Sequence, residues 1–143
     1  MTVQFITHLS VLIYFVNLCE PYIDREDESL AHDADFKPNL KNSVMYIYQW
    51  WLQTTVIMVN YSGRPFTQDI MENKKLQRML MAMFAVAAAL IFDVSEDLRE
   101  TFELVPFPNE EFQQEVIFWL VVDLVICYVI EKLMKNLYLR TFA

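Results

Sequence analysis

The chain has 143 residues, a formal net charge of -8, 55% apolar and 15% aromatic residues, and a single glycine. That length accommodates one domain, and the apolar fraction is high for a soluble domain that is so acidic. A net negative chain with scattered basic residues excludes a nucleic-acid binder, and Cys19 and Cys127 lie too far apart in sequence to form a zinc pattern or a disulfide framework.

Charge is confined to blocks that leave four apolar stretches between them, whereas a soluble chain would spread it along every amphipathic helix. The first, residues 3–19, ends at Glu20-Pro21. It has no basic residue ahead of it and no small-residue cleavage pattern after it, so it reads as a retained span rather than a signal peptide. The second, 44–61, stops at Ser62-Gly63-Arg64-Pro65, where Gly and Pro punctuate a helix end. The third is rich in Ala and Met and reaches spanning length over 76–94, and the fourth covers 116–134, interrupted by Asp123. A span needs roughly 20 apolar residues. An 18-residue helix is nevertheless about 27 Å long, matching a thin endoplasmic reticulum bilayer of about 27 Å, and the shorter runs reach that length with snorkelling ends.

Charge placement orients these spans. The loop from Gly63 to Arg78 and the tail from Lys132 onward hold Arg64, Lys74, Lys75, Arg78, Lys132, Lys135 and Arg140 against Asp69 and Glu72, while the loops 20–43 and 95–115 are strongly acidic. The positive-inside rule therefore places the middle loop and both termini in the cytosol and the acidic loops in the lumen. The sequon Asn60-Tyr61-Ser62 falls at the cytosolic membrane edge, out of reach of the glycosylation machinery.

Polar residues inside the spans are the candidate site residues. Gln49, Gln53 and Asn60 form a broken line along the second span, which should face other helices or a watered cavity, since amides facing lipid would go unpaired. Interhelical hydrogen bonding and a polar wall of a transport pathway are both open. Thr54 and Thr55 point away from this line and can return their hydroxyls to their own helix. Asp123, near mid-span, needs a partner, because a buried acid costs about 2.5 to 3.5 kcal/mol on insertion scales. It is either a proton or ion ligand or a structural anchor paired with a helix-breaking backbone or an amide such as Gln49 or Gln53. Asp123, Cys127 and Glu131 occupy one side of the last helix as a seam descending to the cytosolic edge.

Thr7, Ser10, Tyr14 and Asn17 on the first span and Ala82, Ala85 and Ala89 on the third read as packing surfaces. His8 reads as a hydrogen-bonded interfacial histidine rather than a ligand. Trp50, Trp51, Trp119, Tyr46 and Tyr48 sit in the lumenal halves of their spans, as interfacial aromatics do. The chain carries no Gly-rich phosphate loop, nucleophile elbow, His-Glu-x-x-His or Cys-x-x-Cys. No catalytic, cofactor-binding or metal residue is therefore assigned.

The middle loop carries a resemblance. Gly63-Arg64-Pro65-Phe66, followed by Glu72-Asn73-Lys74-Lys75-Leu76, resembles the Gly-x-Pro-Phe…Glu-Asn-Lys-x-Leu loop of the type V-A P-type ATPases, the transmembrane-helix dislocases of the endoplasmic reticulum. Lys75 stands where that family often has a small residue or proline. Upstream, Phe36 to Val59 with Pro38-Asn39-Leu40…Asn42-Ser43 is similar to the family's entry into the next membrane helix, and the helix with Asp123 and Glu131 resembles its last span. The resemblance covers essentially the whole chain and implies the C-terminal four membrane helices, a support bundle beside the transport domain.

It further implies an ATP-driven pump that, in full-length form, extracts misplaced tail-anchored or signal-anchor helices from the endoplasmic reticulum membrane. The family's Asp-Lys-Thr-Gly-Thr phosphorylation motif and its nucleotide and actuator domains are absent from this sequence. ATP and Mg are therefore implied for the full-length relative and no cofactor for this chain. The expected fold is an all-α integral membrane four-helix bundle, a single transmembrane domain over residues 1–143 and a fragment or split portion of such an ATPase. Its expected partners are the lipid bilayer, the remaining helices and cytosolic domains of the ATPase, and hydrophobic transmembrane segments as substrate of the whole. A standalone small four-span membrane protein, acting as a structural or interaction partner without ATPase activity, is the alternative.

Overall fold

A computed structural model describes residues 2–23, 37–61 and 68–142. The described residues are all-α: α1 Thr2–Cys19, α2 Leu40–Asn60, α3 Lys74–Ile91, α4 Glu96–Thr101 and α5 Glu110–Phe142, with a 3-10 turn at Glu20–Tyr22 after α1. The three long helices after α1 start on asparagine caps, whose side-chain oxygens satisfy otherwise orphaned N–H groups. Asn39 accepts from Asn42 N at 2.8 Å, Asn73 from Leu76 N at 3.1 Å and Asn109 from Phe112 N at 2.7 Å. Helix α3 ends where Phe92 N and Val94 N turn back to the carbonyls of Ala88 and Ala89 and Asp93 enters the left-handed region with φ 49°. The third apolar run was expected to continue as helix to 94 and stops short for that reason.

Helices α1 and α5 run antiparallel, with Gln4 bonded to Glu131, His8 to Asp123 and Tyr14 to Glu115. Helix α2 lies at the centre, touching α1, α3 and α5. The core gathers residues recurring at three- and four-residue steps, such as Val11, Phe15 and Cys19 on α1, Val44, Ile47 and Tyr48 on α2, and Phe112, Val116 and Leu120 on α5. Phe15 stacks edge-on to Tyr48 at 5.4 Å, and the Trp51 indole N–H donates to the Leu120 carbonyl at 2.9 Å, tying α2 to α5.

At the acidic end the segment between α3 and α5 is folded back onto the bundle. Val105 N donates to Ser43 Oγ at 2.8 Å and Gln113 Nε2 to the Ile91 carbonyl at 2.7 Å, while Arg99 pairs with Asp93. A cleft of about 250 Å³ lies beneath this segment, bordered by Leu98, Arg99, Asn109 and Gln113.

By length and apolar composition, one helical segment of the described residues, Val3–Tyr22 with mean hydropathy 1.4, meets the requirement for a membrane span. Helices α2 and α3 fall below it because each carries its own polar load: Lys41 and the amides on α2 and the basic start of α3.

Two expected packing surfaces are largely rotated out of the core, although Tyr14 keeps its place, packed on Trp119 and bonded to Glu115. On α1, Ser10 and Asn17 are exposed, and Thr7 and Ser10 donate to the carbonyls of Val3 and Ile6 in their own helix. The face that packs is instead Gln4, His8, Val11, Phe15 and Cys19. On α3, Ala82 and Ala85 are exposed, and Leu80, Ala87, Leu90 and Ile91 form the buried side. Small size permits close approach but does not compel it when larger apolar residues a few positions away bury more surface.

Candidate functional site

The most chemically distinctive part of the molecule is a polar seam buried between α1 and α5. Gln4 and His8 lie one turn apart on α1, and Asp123, Cys127 and Glu131 succeed one another at four-residue steps on α5, so antiparallel packing sets the two rows face to face. Asp123 is 0% exposed and Cys127 1%, and the His8 side chain is 12% exposed.

His8 Nδ1 lies 2.8 Å and 3.0 Å from the two oxygens of Asp123. An ionised carboxylate only accepts, so Nδ1 donates to it, and Nε2 is left to face Cys127 Sγ at 3.6 Å. The His8 backbone is fixed in turn by the Tyr48 hydroxyl, which donates to its carbonyl at 2.8 Å. One turn further along α5, Glu131 accepts from Gln4 Nε2 at 3.1 Å and pairs with Lys135 at 3.4 Å, its own side chain 22% exposed. The seam thus grades from a buried ion-pair partner to a half-exposed one.

This arrangement corrects the expected partner of Asp123. It is His8, 115 residues away in sequence, and not Gln49 or Gln53, both of which are exposed on α2. Asn60 is half-buried and donates to the Val56 carbonyl at 3.1 Å within α2. The buried side of α2 carries Thr54 and Thr55 instead. Thr54 donates to the Trp50 carbonyl at 2.9 Å, while Thr55 Oγ1 has no partner among the described residues.

The Glu72-Asn73-Lys74 part of the loop motif has a plain structural use. The Asp69 backbone carbonyl accepts from the N–H groups of Glu72 and Asn73, the Asn73 side chain caps α3, and Lys74 Nζ reaches Gln77 at 3.4 Å. Gly63, Pro65 and Phe66 lie outside the described residues, and the Tyr61 hydroxyl donates to the Gln68 carbonyl at 2.7 Å across that gap. Sequence reasoning passed over Gln4 and undervalued His8. The available signal was their phase, since residues 4, 8, 11, 15 and 19 recur at heptad-like steps and so share the face that packs.

No family model matches the chain. It is 35% identical over 132 residues to a probable manganese-transporting ATPase, PDR2, of Arabidopsis thaliana, covering 92% of this chain and 11% of that protein. It is 33% identical over 135 residues to the endoplasmic reticulum transmembrane helix translocase spfA of Aspergillus fumigatus, covering 94% of this chain and 10% of the relative. With the endoplasmic reticulum transmembrane helix translocase of Schizosaccharomyces pombe the identity is 34% over 133 residues, 93% of this chain and 11% of the relative. The chain therefore spans about a tenth of the length of the curated relatives it matches, and the match falls on their C-terminal portion.

Proposed function

We propose, starting from this chain's membership of the endoplasmic reticulum transmembrane helix translocase family, that it is the C-terminal membrane-support part of an ATP-driven P-type translocase, not active alone. In this reading α1, α2, α3 and α5 cross the endoplasmic reticulum membrane, with both termini cytosolic. The observation that carries the membrane reading is the apolar surface left outside the bundle. Phe5, Ile6 and Ile13 on α1, Met81 on α3, and Phe118, Val125, Val129 and Leu133 on α5 are all exposed, large apolar side chains along three long helices that suit contact with lipid or with further membrane helices.

The bundle braces rather than catalyses. Its buried seam joins the first and last helices, and in lipid, where apolar burial gives no drive for helix association, such packing and hydrogen bonding hold the register. The exposed amides Gln49 and Gln53 form the side of α2 turned toward the remaining helices of the ATPase, where they edge the path of hydrophobic transmembrane segments displaced from the membrane. ATP and Mg act in the cytosolic domains of the whole protein.

The test is immunoprecipitation from native membranes with an antibody against residues 20–43, followed by labelling with radioactive ATP. The reading predicts an acid-stable phosphorylated polypeptide in the precipitate. A 17.0 kDa band with no ATP-labelled polypeptide beside it would contradict it.

A further inference from the structure

We propose that His8, Cys127 and Asp123 form a buried binding site for one zinc-class divalent cation, held by a ring nitrogen, a thiolate and a carboxylate between the first and last helices. One ligand atom from each residue lies within 4.8 Å of the others, and the three residues come from two helices held in antiparallel register. His8 Nδ1 lies 2.8 Å from an Asp123 oxygen and 3.9 Å from Cys127 Sγ, close to the separations of about 3.3 and 3.5 Å that ligands of one tetrahedral zinc adopt, given Zn–N and Zn–O near 2.0 Å and Zn–S near 2.3 Å.

Asp123 and the ion share His8 Nδ1 in turn. Without the ion the carboxylate accepts from Nδ1–H; on binding, that proton moves to Nε2, and Nδ1 and one Asp123 oxygen close on the ion after a small side-chain rotation. Charge favours the occupant. A divalent cation with one thiolate, one carboxylate and a neutral imidazole is neutral as a unit, which suits a site removed from water. Binding displaces the thiol proton, so no buried charge is left uncompensated. The mixed nitrogen, oxygen and sulfur set selects a borderline metal such as zinc over magnesium, calcium or manganese, which prefer oxygen ligands. Three protein donors leave a fourth position for water or an exogenous ligand. Access is available along the seam, since His8 reaches the surface and Glu131, one turn beyond Cys127, is partly exposed.

The experiment titrates the whole chain, purified in detergent, with cobalt chloride and then zinc chloride. A thiolate-to-cobalt charge-transfer band should grow to about one ion per chain and be bleached by zinc. Cys127→Ser should remove that band, Cys19→Ser should keep it, and His8→Gln should weaken binding by roughly tenfold or more. Zinc should also raise the thermal midpoint of the unaltered chain, a readout that needs no variant. Absence of the band, its survival in Cys127→Ser, a midpoint indifferent to zinc, or equal competition by magnesium chloride would overturn the proposal.

Discussion

Replacing Asp123 separates a hydrogen-bonded anchor from a residue needed for its charge. Asp123 is fully buried and accepts from His8 Nδ1 at 2.8 and 3.0 Å, so Asp123→Leu removes both acceptors and strands the ring donor between two helices. Breaking a buried pair by removing one partner costs roughly 3 to 5 kcal/mol. Asp123→Asn keeps a carbonyl oxygen at the same reach and loses only the charged part of the bond, about 1 kcal/mol. The leucine variant should therefore lose most of its folded yield in detergent while the asparagine variant keeps most of it, measured by helical circular dichroism through a denaturant titration. The double variant His8→Leu, Asp123→Leu should recover part of the loss, because no stranded donor remains. Equal collapse of the asparagine and leucine variants would refute the anchor reasoning and make the charge itself the requirement.

Two further outcomes follow from other parts of the fold. Asn73→Ala removes the side-chain acceptor from Leu76 N and should cost about 1 kcal/mol, read as a lower unfolding midpoint, whereas an unchanged midpoint would mean that the cap contributes nothing. The pair Gln49→Leu and Gln53→Leu should leave the stability of this chain within about 0.5 kcal/mol of the parent, since both amides are exposed. A large loss in the same titration would instead place them in contacts within the bundle.

Much of the helical order was legible. The apolar runs at 3–19, 44–61, 76–94 and 116–134 coincide in large part with α1, α2, α3 and α5, because freedom from charge over such lengths leaves helix as the conformation that satisfies the backbone. Helix α5 nevertheless starts at Glu110, six residues before the apolar run, since Asn109 caps it and polar Glu and Gln are good helix formers. The short helix Glu96–Thr101 left no apolar signal; its Arg99 pairs with nearby Asp93, and the loop after it is tied to distant Ser43 through Val105 N.

The seam was half legible. Its α5 row could be read from four-residue spacing, but its α1 row could not, because the relative rotation of two helices is decided by which faces pack best. Phe15 and Val11 settle that rotation and carry His8 and Gln4 inward with them, leaving the more conspicuous Ser10 and Asn17 outside. The same effect on α2 buries Tyr48 and Thr54 and turns Gln49 and Gln53 outward.

The most direct test of the membrane-support account is glycosylation mapping of engineered acceptor sites in microsomes, with one acceptor placed in each of 20–43, 95–109 and 135–143. Four crossings with cytosolic termini predict modification of the first two positions and none of the third. Modification of the tail together with both loops would mean that α1 alone crosses, and would contradict the account.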